Sequence, residues 1–378
     1  MRPSDAMVTT RAIPLARPHI GEREREMVLE VLRSDSLACG PMAPAFERAF
    51  ADRVGTRFAV ACSSGTAGLQ AALHRLDLGA GDEVITSSFS FIASANVIAH
   101  ERATPVFADI EERTFNLDPA AVEAAVTPRT RAIVAVHIFG YPCEIEALNA
   151  IAARHGIAVV EDACEALGCT VAGRPVGSHG NPAVYGFYPN KQLTTGEGGM
   201  ITTDDDEVAG ELRSLVNQGR SDGGDWLVHP RVGFNFRMDE MSAALGLAQL
   251  EKLDMMLEAR RRLAARYDEL LAGVDGVELP YRRPEPRSWF IYFVRLAEGI
   301  DREAVSAGLA RRGVASRPYL PAIHTQPPYR ARYGYREGML PVAERVARST
   351  LALPFYVQLE DDDVAYVAAS LREVLREL

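Results

Sequence analysis

The sequence predicts an α/β fold: a large domain with a mostly parallel sheet covered by helices, followed by a smaller α+β domain. Three observations lead there. Short apolar runs alternate with helical stretches through the first two thirds of the 378 residues. The runs are flanked by Gly or Asp and are apolar nearly throughout, as strands buried on both faces are. Near residue 238 the pattern changes to long helix, and a shorter mixed tail follows.

Residues 57–62 (RFAVAC) predict the first strand and 65–76 a helix. Strands at 83–87, 105–109, 131–136 and 157–161 then alternate with helices at 91–100, 119–125 and 144–155. This alternation is the pattern of βαβ units. Strands at 183–187 and 200–203 and a helix at 204–215 continue the domain. Residues 238–271 read as long helix of the kind that joins two lobes. Beyond it come a strand at 289–296, a helix at 302–311 and a closing helix at 361–376. The Pro-rich stretches 280–286 and 318–328 read as loops. The division is therefore a large domain over 1–255 and a small one over 256–378.

Composition narrows the function. Charged residues make up 24% and hydrophobic ones 47%, an ordinary globular mix. The net charge of −10 disfavours a nucleic-acid partner. No apolar run reaches the ~20 residues of a membrane span, and the first residues hold no signal-peptide core. Five cysteines at irregular spacing, with no CxxC, read as buried thiols in a reducing cytoplasm. Eight scattered histidines give no metal-site pattern, so no metal is expected.

Two of the 41 basic residues are Lys, Lys191 and Lys252; the rest are Arg. Where a plain positive charge suffices, this chain writes Arg. A retained Lys therefore points to what Arg cannot do: lose its proton and act as a nucleophile. Lys252, inside a helical pattern, reads as chance survival. Lys191 lies in YPNKQLTTGEGG, among small residues between two strands. It is either a Schiff-base lysine or a solvated loop lysine, and the scarcity of Lys argues against the second.

Two further segments carry chemistry. Cys62-Ser63-Ser64-Gly65-Thr66-Ala67-Gly68 follows a strand and opens a helix. Free N–H groups there suit a phosphate, although an ordinary turn with a Ser cap has the same form. Val159-Val160-Glu161-Asp162-Ala163 ends a strand in two carboxylates. One of them could hold a pyridinium nitrogen, the partner that pyridoxal phosphate (PLP) requires; a helix cap or a surface Asp is the plain alternative.

Taken together, SSGTAGL, SFSFIASAN, VVEDACEALG, GFYPNKQLTTGEGGMITT and GFNFRMDEMSAALGLAQL resemble the DegT/StrS-type family of PLP-dependent sugar aminotransferases. The resemblance covers roughly residues 15–255. It implies the fold type I architecture of aspartate aminotransferase, with its seven-stranded, mostly parallel sheet. It implies that Lys191 forms an imine with PLP and then moves the proton between the amino carbon and the cofactor. Asp162 would pair with the ring nitrogen. Gly65, Thr66 and Ala67 would hold the phosphate, and Phe91 would stack on the ring. Asn235 would reach the phosphate of the neighbouring subunit, making a homodimer with shared sites.

Two positions depart from the commoner pattern. Glu165 stands where many members have Gln facing the phenolic oxygen. Either it is protonated, or it points elsewhere, or a water intervenes. Gly186 stands where a serine often binds the phosphate. A His in place of the lysine marks dehydrating members, and the Asn190-Lys191 block here disfavours that activity. The implied reaction moves an amino group from L-glutamate, through pyridoxamine phosphate, to a keto sugar. The expected acceptor is a 3- or 4-keto hexose on a nucleoside diphosphate, for surface-glycan or antibiotic sugars. An inosose-type aminocyclitol aminotransferase and a non-catalytic sensor are the alternatives. Candidate acceptor contacts are Trp226, His229, Arg231, Arg317, Tyr319 and His324. Arg260-Arg261-Arg262 reads as a solvated helix face.

Overall fold

The computed structural model describes residues 11–221, 228–282 and 287–378. Two helices come first, α1 (Glu22–Leu32) and α2 (Met42–Val54). The alternating region is β1 (Phe58–Cys62), α3 (Gly65–His74), β2 (Glu83–Ser87), α4 (Ala93–His100), β3 (Thr104–Ala108), α5 (Pro119–Ala125), β4 (Thr130–Val136), α6 (Ile145–His155) and β5 (Ala158–Asp162). A small hairpin, β6 (Thr170–Val171) and β7 (Arg174–Pro175), precedes β8 (Ala183–Gly186) and β9 (Gly199–Thr203). Three helices follow: α7 (Asp206–Val216), α8 (Glu240–Glu251) and α9 (Leu253–Leu271). The remainder holds β10 (Val277–Glu278), β11 (Tyr292–Leu296), α10 (Arg302–Arg311), β12 (Arg317–Pro318), α11 (Pro327–Tyr333), α12 (Pro341–Ser349), β13 (Thr350–Leu353) and α13 (Asp361–Glu377).

The first sheet has seven strands in the order β1-β9-β8-β5-β4-β2-β3. Only β9 runs against its neighbours; the pairs from β8 to β3 are parallel. β2 and β9 are buried at every position, as expected for strands covered on both faces. The second sheet, order β10-β11-β13-β12, is antiparallel. One face of α9 and one of α13 close its core, which includes Leu263, Tyr267, Tyr292, Leu351 and Leu371.

The long helix expected over 238–271 is two helices, α8 and α9, broken at Lys252 (φ −112°, ψ 10°). The Lys252 side chain at this break is committed to a buried partner. Its Nζ lies 2.5 Å from Glu24 Oε1 and donates to the His19 carbonyl at 2.9 Å. Glu24 is 1% exposed and also takes the Gly21 N–H and the Gln249 amide. Lys252 is thus no chance survivor but the counter-charge of a buried carboxylate. Two other expectations also change. Cys39 is exposed rather than buried. The stretch 318–328 is not all loop, because α11 starts within it on two prolines at positions suited to a helix start.

Removing one partner of a buried ion pair strands the other charge. Lys252→Met is therefore expected to destabilise the fold by about 3 kcal/mol. Adding Glu24→Gln should recover most of that loss. Chemical denaturation of the two variants checks this; equal stability of single and double variants would refute the pairing.

Candidate active site

The carboxyl ends of the parallel strands place the chemistry-bearing residues together, as open α/β sheets do. β1 ends at Cys62 and leads directly into α3. Ser64 caps this helix, its hydroxyl accepting the Ala67 N–H at 3.0 Å and its carbonyl the Gly68 N–H. The N–H groups of Gly65 and Thr66 have no acceptor among the described residues. They lie at the positive end of the helix. The phosphate-type turn is therefore a capped helix start with two donors left over.

β5 separates its two terminal carboxylates by strand alternation. Glu161 is fully buried against His137, Asn181 and the Gly177 N–H. The Cys143 N–H donates to His137 Nδ1, so the Nε2 proton is the one that meets Glu161. Asp162 faces the other way. Its Oδ2 accepts the Ser94 hydroxyl at 2.8 Å and its Oδ1 the Cys164 N–H at 3.2 Å. Ser94 in turn accepts from Ser90 at 2.8 Å. The Asp162 carboxylate is thus held by donors on two segments, with lone pairs to spare.

Lys191 lies on the connection between β8 and β9, its side chain 14% exposed. Its Nζ sits 3.4 Å from Glu165 Oε1 and 4.1 Å from the centre of the Phe290 ring. Glu165 Oε2 accepts the Phe139 N–H at 2.9 Å. Burial raises the Glu165 carboxyl above its ordinary range; Lys191 and the Phe139 N–H oppose that rise without cancelling it, and Asp162 adds to it. Phe91, an apolar ring, is 60% exposed at the same strand ends.

Gly186 has a spatial reason. A Cβ there would lie 3.3 Å from Cys164 Sγ, and one on Gly65 would lie 2.7 Å from the same sulfur. A serine at this strand position would crowd the Cys164 side chain.

The expected acceptor contacts divide. Tyr319 is half-buried near Lys191, its hydroxyl accepting the Asn190 amide at 3.1 Å. Its ring packs against Phe139 and Phe290. Arg317 and Arg231 are exposed, Arg231 lying 3.9 Å from Glu211. His229 is exposed and bonded to the Gln218 carbonyl. Trp226 lies outside the described residues. His324 is a correction: it is 0% exposed, Nδ1 pairing with Ser88 at 2.6 Å and Nε2 with Glu344 at 3.0 Å. With both nitrogens engaged in the interior, it ties the 323–325 turn to the end of β2 and offers a substrate nothing.

Several site residues escaped the sequence reading. Ser94 positions Asp162, and Phe290 backs Lys191. Gln192 ties the lysine loop to the Glu165 carbonyl and to Ser288. Ser94 had a signal in the spacing of Ser90 and Ser94 at the start of α4. Phe290 had none.

A family model described as the DegT/DnrJ/EryC1/StrS aminotransferase family matches residues 18–372. The chain is 42% identical to GDP-perosamine synthase of Caulobacter vibrioides, over 96% of this chain and 98% of that protein. It is 39% identical to the spore coat polysaccharide biosynthesis protein SpsC of Bacillus subtilis, over 96% and 97% of the two. S. venezuelae DesV, solved in complex with a ketimine intermediate, matches with a TM-score of 0.90 and 36% identity, over 96% of this chain and 98% of that one.

The raised Glu165 carboxyl sets a pH dependence. A carboxyl whose folded pKa exceeds the unfolded value of about 4.3 gives its full stability below that value. The contribution is lost as pH rises through the folded pKa. Glu165→Gln cannot ionise, so its melting temperature relative to wild type should climb from pH 4 towards pH 8. A difference that stays flat across that range would show that burial does not govern this carboxyl.

Proposed function

Because the chain belongs to the DegT/DnrJ/EryC1/StrS aminotransferase family, whose members include PLP-dependent sugar aminotransferases, we propose that it aminates a nucleotide-linked keto sugar. The donor is L-glutamate and the acceptor a 3- or 4-keto hexose on a nucleoside diphosphate. Its similarity to a GDP-perosamine synthase and to a spore coat polysaccharide protein supports the sugar acceptor. The observation that carries the chemistry is the largely buried Lys191 amine between Glu165 and Phe290, on the same strand ends as Asp162 and the α3 start.

The donor set fits PLP. When bound, PLP supplies an electrophilic carbon and a protonated ring that accepts the electrons of a deprotonated amino carbon. The spare N–H groups of Gly65 and Thr66, with Ala67 beside them, hold the phosphate. Asp162, kept in place by Ser94 and Cys164, holds the ring N–H and keeps it protonated. Phe91 gives one ring face a flat apolar contact. Lys191 Nζ would take the proton from the donor's amino carbon and, in the reverse half of the reaction, put a proton on the acceptor's carbon. Burial raises the Glu165 carboxyl, and a protonated Glu165 would donate to a phenolic oxygen that a carboxylate would repel.

The match of Asn235 to the residue that the family contributes across subunits supports a homodimer with shared sites. The strip 234–236 is pinned by Phe234 and Phe236 backbone bonds to Leu215, Val216, Gln218 and Ser63. Phe234 and Phe236 stack at 4.5 Å and line a cavity of about 530 Å³ together with Thr66 and Ala67. Phe234 and Phe236 face that cavity, so alternation turns the exposed Asn235 side chain the other way.

Two experiments test this reading. Lys191→Ala should lower turnover with glutamate by about three orders of magnitude. Mixed dimers of Lys191→Ala with Asn235→Ala subunits should regain activity, because one site then has both native residues. No regain would refute the shared site. Purified enzyme offered glutamate and either a nucleotide keto sugar or an inosose decides the acceptor; turnover of inosose alone would overturn the sugar assignment.

A further inference from the structure

Arg260 lies on α9 among the residues that face inward, Leu253, Met256, Leu257, Leu263, Ala264 and Tyr267. This corrects the reading of 260–262 as a solvated face, which holds for Arg261 and Arg262 alone. Arg260 is 3% exposed, and no carboxylate pairs with it among the described residues. Its guanidinium instead binds backbone carbonyls. Nη1 donates to Phe290 at 3.0 Å and Trp289 at 3.4 Å, and Nη2 donates to Lys191 at 3.3 Å. The two segments it joins are the two whose side chains meet, the Lys191 amine over the Phe290 ring. Burial lowers its pKa to about 10, so the guanidinium stays charged at neutral pH. A buried, unpaired charge is expensive, and ordinary packing would be served by an apolar residue.

We propose that Arg260 is a positioning residue for Lys191: its planar fork fixes the Lys191 backbone against the Phe290 backbone and so sets where the amine stands. The fork geometry matters, because an ammonium is a single point that cannot span two segments in fixed register. Gln192 makes the matching tie on the next residue, from the lysine loop to Ser288. This inference rests on Lys191 being the residue that carries the coenzyme.

The test uses full-length protein stripped of coenzyme, with pyridoxal phosphate as the probe. Borohydride trapping and peptide mapping first locate the tether in the wild type. A tether elsewhere refutes the role of Lys191, and with it the premise. With the tether at 191, Arg260→Lys, which keeps charge and stem, should trap about fivefold more slowly, the size of one lost hydrogen bond. The pH midpoint of the bound coenzyme's visible absorbance should also move from the wild-type value. Trapping rate and midpoint equal to wild type, even with a lower melting temperature, would make Arg260 a purely structural residue and overturn the proposal. Arg260→Gln carries the same two readouts if the Lys variant does not fold. Failure of both to fold would likewise assign Arg260 to folding alone.

Discussion

The start of α3, proposed above to hold the phosphate, keeps its form only because three backbones meet beneath it. A Cβ on Gly199 would lie 2.7 Å from the Ser64 carbonyl group, so β9 can pass under the cap only as glycine. A Cβ on Gly68 would lie 2.7 Å from Val184, so the helix rests directly on β8. Gly65 and Gly186 face each other across Cys164. Close packing at these positions fixes the distance between the donors at the helix start, the Asp162 carboxylate on β5 and the lysine loop after β8. Loosening any of them would move a whole element.

The site concentrates buried charge, and each charge has a different arrangement of partners. Asp162 is stabilised by a hydroxyl and a backbone N–H, neither of them charged. Glu165 has one backbone donor and the Lys191 amine at the long distance of 3.4 Å. Burial outweighs both partners and raises its carboxyl above the ordinary range. The two neighbouring carboxyls thus sit in different surroundings, one held by two neutral donors and the other beside an amine. Glu161, adjacent in sequence, takes part in neither, because strand alternation sends it to the other face.

The second sheet reaches the site through the segments around it. The turn at 323–325 is fixed by the buried Ser88–His324–Glu344 chain and by the Ile323 N–H on the Ser88 carbonyl. Ser88 begins the segment that carries Ser90, Phe91 and Ser94. Tyr319, on the same stretch as that turn, meets Asn190 beside the lysine. Residues far apart in the chain thus share one frame, and a change in how the second sheet sits would be felt at both Asp162 and Lys191.

The sequence determined the elements and the reactive groups. Alternating apolar runs marked the strands of the large sheet, because burial on both faces leaves no polar period in them. The rarity of Lys singled out residue 191, since imine chemistry excludes Arg. The helix start and the Glu161-Asp162 pair were visible as local patterns for the same reason. Tertiary structure decided which of these groups meet. The resemblance had pointed to Asp162 over Glu161, but the physical reason, the face of β5 on which each lies, belongs to the fold. His324 and Arg260 were misread because burial belongs to the assembled fold and not to the residue type. Arg260 did carry a trace in the chain, in its helical register with Leu253, Met256, Leu257, Leu263, Ala264 and Tyr267. The backing of Lys191 by Phe290 carried none, because 99 positions separate them in the chain and only the packing of α9 against both segments brings them together.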